Sequence, residues 1–326
     1  MRITALSGGV GGARFLRGVL HALERSGEPA DLTVIGNTGD DITLFGLRVC
    51  PDLDTVLYTL GGGIHEEQGW GRADETFSVQ GELAAYGAQP QWFGLGDKDF
   101  GTHIVRSQWL GQGQSLSQVT ARLADRWGLP GRGVTLLPMT DSPVETHVVI
   151  DDGSGPQAVH FQQWWVKEHA AIPAQRFVVA GMDRAAAAPG VLDAIRQADV
   201  VLLPPSNPVV SIGIILSVPG VRDALRGTNA PVVGVSPLIS GRPVRGYADA
   251  CLSAIGVEST SRAVAGLYAD FLSGWLVDED DDLSAYADLP GVRVLARPVL
   301  MTDLDATADI AQAAIDLAGA TPAVRP

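Results

Sequence analysis

Apolar runs alternate with helical patterns in the first third of the chain. The run 3–6 precedes apolar positions at helical spacing from about residue 12, and a second run covers 32–36. A further helix follows Pro51, over 55–60, and ends at three consecutive glycines. This alternation predicts a parallel sheet whose functional loops lie where its strands end.

The middle third has a different pattern. Apolar positions at helical spacing predict helices near 101–110 and 116–127. Two strand-like runs, 144–150 and 158–166, flank a turn of aspartate, glycine and serine, which is typical of a β-hairpin. We therefore expect a helical and β-hairpin insertion in this part of the chain.

Strands and helices alternate again in the last third, which ends in a predicted helix over about 304–318. The predicted strands of this part are 199–203, 230–235, 274–277 and 292–295. The fold class is therefore α/β, with a Rossmann-like, mostly parallel sheet flanked by helices. We expect one domain over 1–326, with a nucleotide-binding core at about 1–95 and 175–326 and a substrate-binding insertion at about 96–174.

Composition and charge narrow the choice of partners. The 39 glycines and the low share of charged residues, 18%, fit buried parallel strands joined by ligand-binding turns. A net charge of −14 argues against nucleic acid or an anionic membrane as the main partner. Apolar runs stay shorter than the ~18 residues of a membrane span. Cys50 and Cys251 form neither a disulfide framework nor a thiolate metal motif, so we expect a reduced, cytoplasmic protein.

A glycine-rich turn joins the first strand to the first helix. Glycine has no Cβ, so backbone N–H groups in such a turn can approach an anion at the positive end of the helix. Arg14 stands where the dinucleotide motif has its last glycine, and the Lys-Ser/Thr pair of a P-loop is absent from the turn. A phosphate-bearing ligand is expected without an ordinary NAD site, and a turn with no ligand is the alternative. The candidate phosphate-binding residues are Ser7, Gly8, Gly9, Gly11, Gly12 and Arg14.

Four aspartates lie within fifteen residues on neighbouring predicted loops: Asp40, Asp41, Asp52 and Asp54. Loops at the carboxyl ends of parallel strands meet at one edge of the sheet, so these carboxylates are expected to converge. Hard carboxylate oxygens suit Mg²⁺ better than a softer metal. Helix capping explains Asp52 or Asp54 taken alone, but not the four together.

A third loop of this edge, 204–211, carries further polar candidates. Its prolines hold an extended turn, so Ser206, Asn207 and Ser211 can direct donors at a phosphate or a base edge. An ordinary Ser/Asn cap is the alternative.

Two more features of the middle third are open to two interpretations. Lys98 lies in a polar turn between glycines, where it either meets an anionic or heterocyclic ligand or is simply solvated. Adjacent Trp164 and Trp165 are expected to face opposite sides of a strand, one in the core and the other free to stack on a ligand or a partner subunit, with core or dimer packing favoured.

These residues together resemble the 2-phospho-L-lactate transferase family of coenzyme F420 biosynthesis, over nearly the whole chain. The stretches 8–16 and 48–63 look like the actinobacterial branch of that family, whereas archaeal members usually carry a lysine near Arg14. The shared motifs are Ser7-Gly8-Gly9, Asn37-Thr38 with the acids at 40–41, 51–58, 95–99, Thr102-His103, His160-Phe161-Gln162, 205–208, Ser211-Ile212, Ser236-Pro237 and Leu300-Met301-Thr302.

The resemblance implies a transferase that acts on small molecules with Mg²⁺. The family transfers a substituted phosphoryl group from a guanosine-diphospho donor to the ribityl hydroxyl of the deazaflavin Fo and releases GMP. For the actinobacterial branch the implied donor is enolpyruvyl-2-diphospho-5'-guanosine and the product is dehydro coenzyme F420-0. Transfer of 2-phospho-L-lactate from the lactyl donor is the alternative. Relatives of this kind also imply a homodimer.

The resemblance also assigns roles to particular residues. Asp54 and Lys98 match the positions that contact Fo, although a lysine here replaces a more usual arginine and does not offer a bidentate contact. Asp40, with Asp54, is the expected Mg²⁺ ligand, and the same two residues are the expected catalytic groups. Asp54 would orient, or take a proton from, the attacking hydroxyl.

Two other functions compete with this interpretation. The wider family includes nucleotide-sugar-binding regulatory proteins with the same glycine turn and Ser-Asn-Pro loop. Asp54 and Lys98 argue against a regulator, since a regulator does not need a deazaflavin site. A nicotinamide oxidoreductase is the third candidate, and the incomplete dinucleotide motif disfavours it.

Overall fold

The computed structural model describes residues 1–27, 29 and 31–319. Its strands are β1 Ile3–Ser7, β2 Leu32–Gly36, β3 Ile42–Leu44, β4 Leu47–Val49, β5 Val134–Pro138, β6 Glu145–Asp151, β7 Pro156–His160, β8 Ala174–Ala180, β9 Val200–Leu203, β10 Val232–Val235, β11 Leu238–Ile239, β12 Arg242–Pro243, β13 Gly274–Val277 and β14 Arg293–Ala296. Its helices are α1 Gly9–Ser26, α2 Pro51–Leu60, α3 Ser78–Ala85, α4 Asp97–Gly111, α5 Leu116–Arg126, α6 Val191–Gln197, α7 Gly213–Ser217, α8 Val221–Gly227, α9 Ala248–Ala254, α10 Ser261–Gly266 and α11 Leu304–Gly319. Short 3-10 turns cover Pro130–Arg132, Met182–Arg184 and Leu283–Tyr286, and π-helical turns cover Gln163–Lys167 and Pro208–Ile212.

Seven parallel strands form the central sheet in the order β14-β13-β10-β9-β1-β2-β5. β1 lies between β2 and β9, with Ile3 opposite both Leu32 and Val200. The chain therefore leaves β1 in one direction across the sheet, through β2 to β5, and later returns to its other side through β9. This reversal is the switch point at which doubly wound α/β proteins bind their ligands.

Helices cover both faces of this sheet. Phe15 of α1, Leu57 of α2, Val119 of α5 and Ile310 of α11 are buried in one hydrophobic cluster. The opposite face packs against α6 to α10, whose buried residues include Val191, Ile215, Leu225, Leu252 and Val264. Burial on both faces explains why β1 and β9 are continuous apolar runs rather than alternating ones. The predicted α/β class is confirmed.

The range 96–174, expected to be one insertion, contains a strand of the central sheet. β5 lies inside this range and pairs with β2 in the central sheet, from Leu32 opposite Val134 to Gly36 opposite Pro138. The hairpin expected in the same range is present as β6 and β7, and β8 joins it to form a three-stranded antiparallel sheet that continues to Ala180. The additional structure is therefore interrupted by a strand of the core.

The expected strand 158–166 is shorter than predicted, which corrects the interpretation of the tryptophan pair. β7 ends at His160, and Trp164 and Trp165 lie on a π-helical turn. Trp164 is fully buried and its indole N–H donates to the Ile172 carbonyl at 2.7 Å. Trp165 packs edge-on against Tyr247, with ring centroids 4.9 Å apart. Both rings contribute to packing, which is the alternative that the sequence favoured.

Within the described ranges, no single helix is long and apolar enough to cross a membrane, although the bent pair Pro208–Ser217 and Val221–Gly227 passes by length and composition.

Candidate active site

The glycine turn and the 204–211 loop touch at the switch point. A methyl group at Gly12 would collide with the hydroxyls of Ser7 and Ser206, and one at Gly11 would collide with the Pro205 carbonyl. The Ser206 hydroxyl donates to the Gly8 carbonyl at 2.8 Å and accepts from the Gly8 N–H at 3.2 Å. These glycines are therefore required first by the close approach of the two loops.

The 204–211 loop uses its polar side chains partly on itself. The Asn207 side-chain carbonyl accepts from the N–H groups of Val209 and Val210, at 2.9 and 3.1 Å. This is the ordinary capping role that the sequence left open. Ser211 is buried against the glycine turn, where an added Cβ at Gly8 would lie 2.6 Å from its Cβ. The phosphate-binding candidates are thus brought together, as expected, while Arg14 is half-buried on α1.

Asp52 lies against the glycine turn, the charge of Asp52 acts on Asp40, and Asp41 adjoins Asp40 but faces the Arg48 guanidinium. We call Asp40, Asp41 and Asp52 the acid cluster; they are 5%, 1% and 6% exposed. Asn37 donates to Asp52 Oδ2 at 2.9 Å, and the Gly9 N–H of the glycine turn also donates to Asp52. In the described part of the chain, several buried polar atoms here have no hydrogen-bond partner: Ser7 Oγ, Thr38 Oγ1, Asp40 Oδ1 and both carboxylate oxygens of Asp41.

Burial shifts the pKa values of the whole cluster upwards. It raises the pKa of Asp41 to about 7, although the Arg48 guanidinium 3.6 Å away favours the charged form. It raises the pKa of Asp52 to about 6 against the hydrogen bonds from Asn37 and Gly9. Burial, and then the charges of Asp52 and Asp41, raise the pKa of Asp40 well above its usual value. Negative charge is therefore concentrated at Asp40 and Asp52, whereas the positive charges of Arg48 and Arg106 act on Asp41.

The three-stranded sheet holds the loop that carries Asp40 and Asp41. His160 Nε2 lies 3.2 Å from the Asp41 carbonyl, and the Gln162 amide donates to the Asp40 carbonyl at 3.2 Å. The Thr146 N–H donates to the Gly39 carbonyl at 2.6 Å. The loop is thus fixed by contacts to its backbone, and of its two carboxylates that of Asp41 also faces Arg48.

The acid cluster has the chemistry of a Mg²⁺ site with an incomplete set of ligands. Its unpartnered, buried carboxylate oxygens are hard donors of the kind that Mg²⁺ prefers. Within the described ranges, no group of three or more His, Cys, Asp or Glu side chains is arranged to hold a metal ion. Mg²⁺ in phosphate-handling enzymes commonly uses one or two carboxylates and completes its shell with water and substrate phosphate. The residues present therefore fit Mg²⁺ bound together with a phosphate.

Asp54 lies in a different set of contacts from Asp40. It is buried on α2, and both of its carboxylate oxygens accept from the two terminal nitrogens of Arg106 on α4, one of them at 3.0 Å. His103 Nδ1 is 3.7 Å from Asp54 Oδ2. The expected metal pair, Asp40 with Asp54, is thus divided between two environments, and the acidic neighbour of Asp40 is Asp52.

Lys98 lies exposed in the first turn of α4, and its ammonium donates to the Ala73 carbonyl at 3.0 Å. The carboxylate of Glu75 accepts from the N–H groups of Lys98 and Asp99 at 2.8 and 2.9 Å, so it caps this helix. The N-terminal turn that presents Lys98 is therefore firmly held.

Comparison with known proteins decides the family. The family described as "2-phospho-L-lactate transferase CofD" matches residues 3–299. The chain belongs to this family. A phosphoenolpyruvate transferase of Thermobifida fusca (strain YX) is 64% identical over 323 residues, and one of Kitasatospora aureofaciens is 60% identical over 320 residues. Each alignment covers 98% of this chain and 98% of the relative.

Solved structures share the fold of this chain at greater distance. The crystal structure of protein BH3568 from Bacillus halodurans, of the upf0052 family, superposes with a TM-score of 0.63 at 17% identity. The match covers 96% of this chain and 99% of that one. At this identity the likeness shows the shared architecture alone.

Sequence reasoning missed the partners that hold the acids of this CofD-family chain. Arg48, which contacts Asp41, and Arg106, which contacts Asp54, were not among the candidates. A signal for Arg106 existed, because Asp99, His103 and Arg106 recur at helical spacing on one buried face of α4. Charged residues on a buried helix face need partners, and that requirement points to the neighbouring helix.

Proposed function

We propose that the protein is a phosphoenolpyruvate transferase. In this reaction the enolpyruvyl phosphate group passes from enolpyruvyl-2-diphospho-5'-guanosine to the ribityl hydroxyl of Fo, giving dehydro coenzyme F420-0 and GMP. Membership of the CofD family and the printed names of relatives that are 64% and 60% identical support this choice over the lactyl donor. The observation that carries the proposal is the acid cluster, with its unpartnered oxygens, beside the glycine turn at the switch point.

The donor is assigned to the glycine turn and the 204–211 loop. Backbone N–H groups at the start of α1 and the Ser7 and Ser211 hydroxyls would hold the diphosphate and the GMP portion. The acceptor hydroxyl attacks the phosphorus that bears the enolpyruvyl group, and the bond from that phosphorus to the GMP oxygen breaks. GMP leaves with the electron pair, and the attacking hydroxyl releases its proton to solvent.

Asp40 is the proposed Mg²⁺ ligand, and Asp52 is the acid whose charge acts on it most. When bound, the ion neutralises charge that develops on the diphosphate. Arg106 already donates to both carboxylate oxygens of Asp54. Asp54 therefore fits the role of orienting the acceptor hydroxyl better than the role of a metal ligand. It is proposed to accept the hydrogen bond of the attacking Fo hydroxyl and so to orient it, while Lys98 contacts the deazaflavin.

We also propose that the substrates are small molecules, that the protein is cytoplasmic and that it assembles as a homodimer.

Mass spectrometry of the reaction products tests the proposal. The purified protein is incubated with Fo, Mg²⁺ and equal amounts of the enolpyruvyl and lactyl donors. We expect the enolpyruvyl adduct of Fo and GMP as main products. A predominantly lactyl adduct would replace the donor assignment, and folded protein that forms no adduct would contradict transfer and favour a nucleotide-sugar-binding regulator.

A further inference from the structure

A row of buried polar groups joins α2 to α4. We call it the α2–α4 chain and define it by Asp54 and Tyr58 on α2 and by Asp99, His103 and Arg106 on α4. The Tyr58 hydroxyl donates to Asp99 Oδ1 at 2.7 Å, and His103 Nε2 faces the same oxygen at 3.4 Å. On the other side of the imidazole, Arg106 contacts His103 Nδ1 at 3.0 Å and holds Asp54.

The chemistry of arginine fixes the direction of this chain. A guanidinium only donates, so His103 Nδ1 must accept, which leaves the imidazole proton on Nε2, 3.4 Å from Asp99 Oδ1 but outside hydrogen-bond geometry. His103 and Arg106 are each 1% exposed. Arg106 also donates to the Arg48 carbonyl at 3.3 Å, so its position is fixed from two sides.

We propose that Arg106 is the positioning residue for the acceptor in this transfer. This inference rests on the proposed function, in which Asp54 and Lys98 contact Fo. The planar fork of Arg106 sets the plane of the Asp54 carboxylate, because both carboxylate oxygens are bonded to it. The same helix carries Lys98 in its first turn, so the α2–α4 chain sets the spacing between the two groups that contact Fo.

This arrangement separates the binding of the two substrates. The donor is assigned to the glycine turn and the acid cluster, whereas Arg106 acts on the acceptor through Asp54. A change at Arg106 that preserves its charge should therefore weaken the use of Fo and leave the use of the donor unchanged. A merely structural role would affect both substrates alike.

Steady-state kinetics of Arg106→Lys tests the inference. Lysine keeps the charge but bonds only one carboxylate oxygen at a time. We expect kcat/KM for Fo to fall by about ten- to a hundredfold, as for one lost charge-assisted hydrogen bond, with the donor KM within about twofold of wild type. Arg262→Lys is the matched control, since Arg262 forms a two-bond pair with Asp288 on the surface, and its kinetics should not change.

Two further variants keep the test decisive. In an Asp54→Asn background, Arg106→Lys should add less than about a twofold loss, because Arg106 acts through Asp54. His103→Gln keeps an acceptor for Arg106 and should raise the Fo KM less than Arg106→Lys does, which provides a second reading if the lysine variant does not fold. Equal losses in kcat/KM for Fo and for the donor would overturn the inference. So would a loss in the double variant that equals the product of the two single losses. Wild-type protein that forms no Fo adduct would instead refute the proposed function itself.

Discussion

The acid cluster and the α2–α4 chain are two groups of buried acids with opposite electrostatics. In the acid cluster, burial raises the pKa of all three carboxyl groups, and oxygens of Asp40 and Asp41 have no hydrogen-bond partner among the described residues. In the α2–α4 chain, burial also acts on Asp99, yet His103 and the hydrogen bond from Tyr58 hold its pKa below the usual value. Burial alone therefore does not mark a functional acid. A buried carboxylate oxygen without a hydrogen-bond donor does, because a cation can complete it; the atoms of the α2–α4 chain that have no partner, His103 Nε2 and Arg106 Nε, are donors instead.

Removing the arginine that balances a buried carboxylate should lower the unfolding free energy most. Arg106→Ala leaves the Asp54 carboxylate buried without its guanidinium, and we expect a loss of about 3–5 kcal/mol in unfolding free energy. Urea unfolding monitored by circular dichroism measures it. A loss below about 1 kcal/mol would show that the α2–α4 chain is much weaker than its contacts indicate.

Removing an acid from the cluster should separate activity from stability. Asp40→Asn eliminates a buried charge that burial and its neighbours oppose, so the unfolding free energy in metal-free buffer should stay equal or rise. Transfer should fall by about a hundred- to a thousandfold if Asp40 holds the ion that stabilises the leaving group. An unfolding free energy of Asp40→Asn that falls together with its transfer rate would contradict the contrast between the acid cluster and the α2–α4 chain.

The pH dependence of metal-free stability should reveal the acid cluster. An unfolded aspartate titrates near pH ~3.9, whereas Asp52 and Asp41 in the folded protein titrate at about 6 and about 7. Between these values the folded state holds more protons, so the unfolding free energy decreases as pH rises from about 4 to about 7 and then levels off. Since each pKa unit corresponds to ~1.4 kcal/mol, we expect a decrease of several kcal/mol in wild type, and one smaller by about 3 kcal/mol in Asp52→Asn. A stability that rises over this range would refute the account.

A smaller change should test the contact between the glycine turn and the 204–211 loop. Gly12→Ala pushes a methyl group against the Ser7 and Ser206 hydroxyls, and overpacking of this kind costs about 1–2 kcal/mol. Donor KM should rise while Fo KM changes little. Gly101→Ala on α4 is the control, because open space surrounds that position, and it should stabilise by about 0.5–1 kcal/mol. Equal unfolding free energies and donor KM values for Gly12→Ala and Gly101→Ala would exclude a tight contact at Gly12.

The sequence predicted the parts of the fold that depend on local pattern. β1 and β9 are short apolar runs buried on both faces, and the glycine turn follows directly from β1, so these features were visible in the chain. β5 was missed, since its alternating burial at the end of a loop resembles no buried parallel strand. The π-helical turn at Trp164 was also missed, because two adjacent aromatic residues fit a strand equally well.

The sequence predicted the site's acids better than their roles. The convergence of three loops is confirmed, and it follows from the rule that parallel strands place their carboxyl ends on one edge. The division of Asp40 from Asp54 could not be predicted, because it depends on Arg106, which is 52 residues from Asp54 along the chain. Long-range pairing of this kind leaves no periodic signal in a single sequence.

Calorimetric titration with GDP, which lacks the transferable group, tests whether the acid cluster holds the cation. Binding is measured with Mg²⁺ and with a chelator for wild type, Asp40→Asn and Arg106→Lys. We expect Mg²⁺ to tighten GDP binding about tenfold or more in wild type and in Arg106→Lys, and not in Asp40→Asn. An equal effect of Mg²⁺ in Asp40→Asn, or its loss in Arg106→Lys, would contradict the assignment of the cation to the acid cluster.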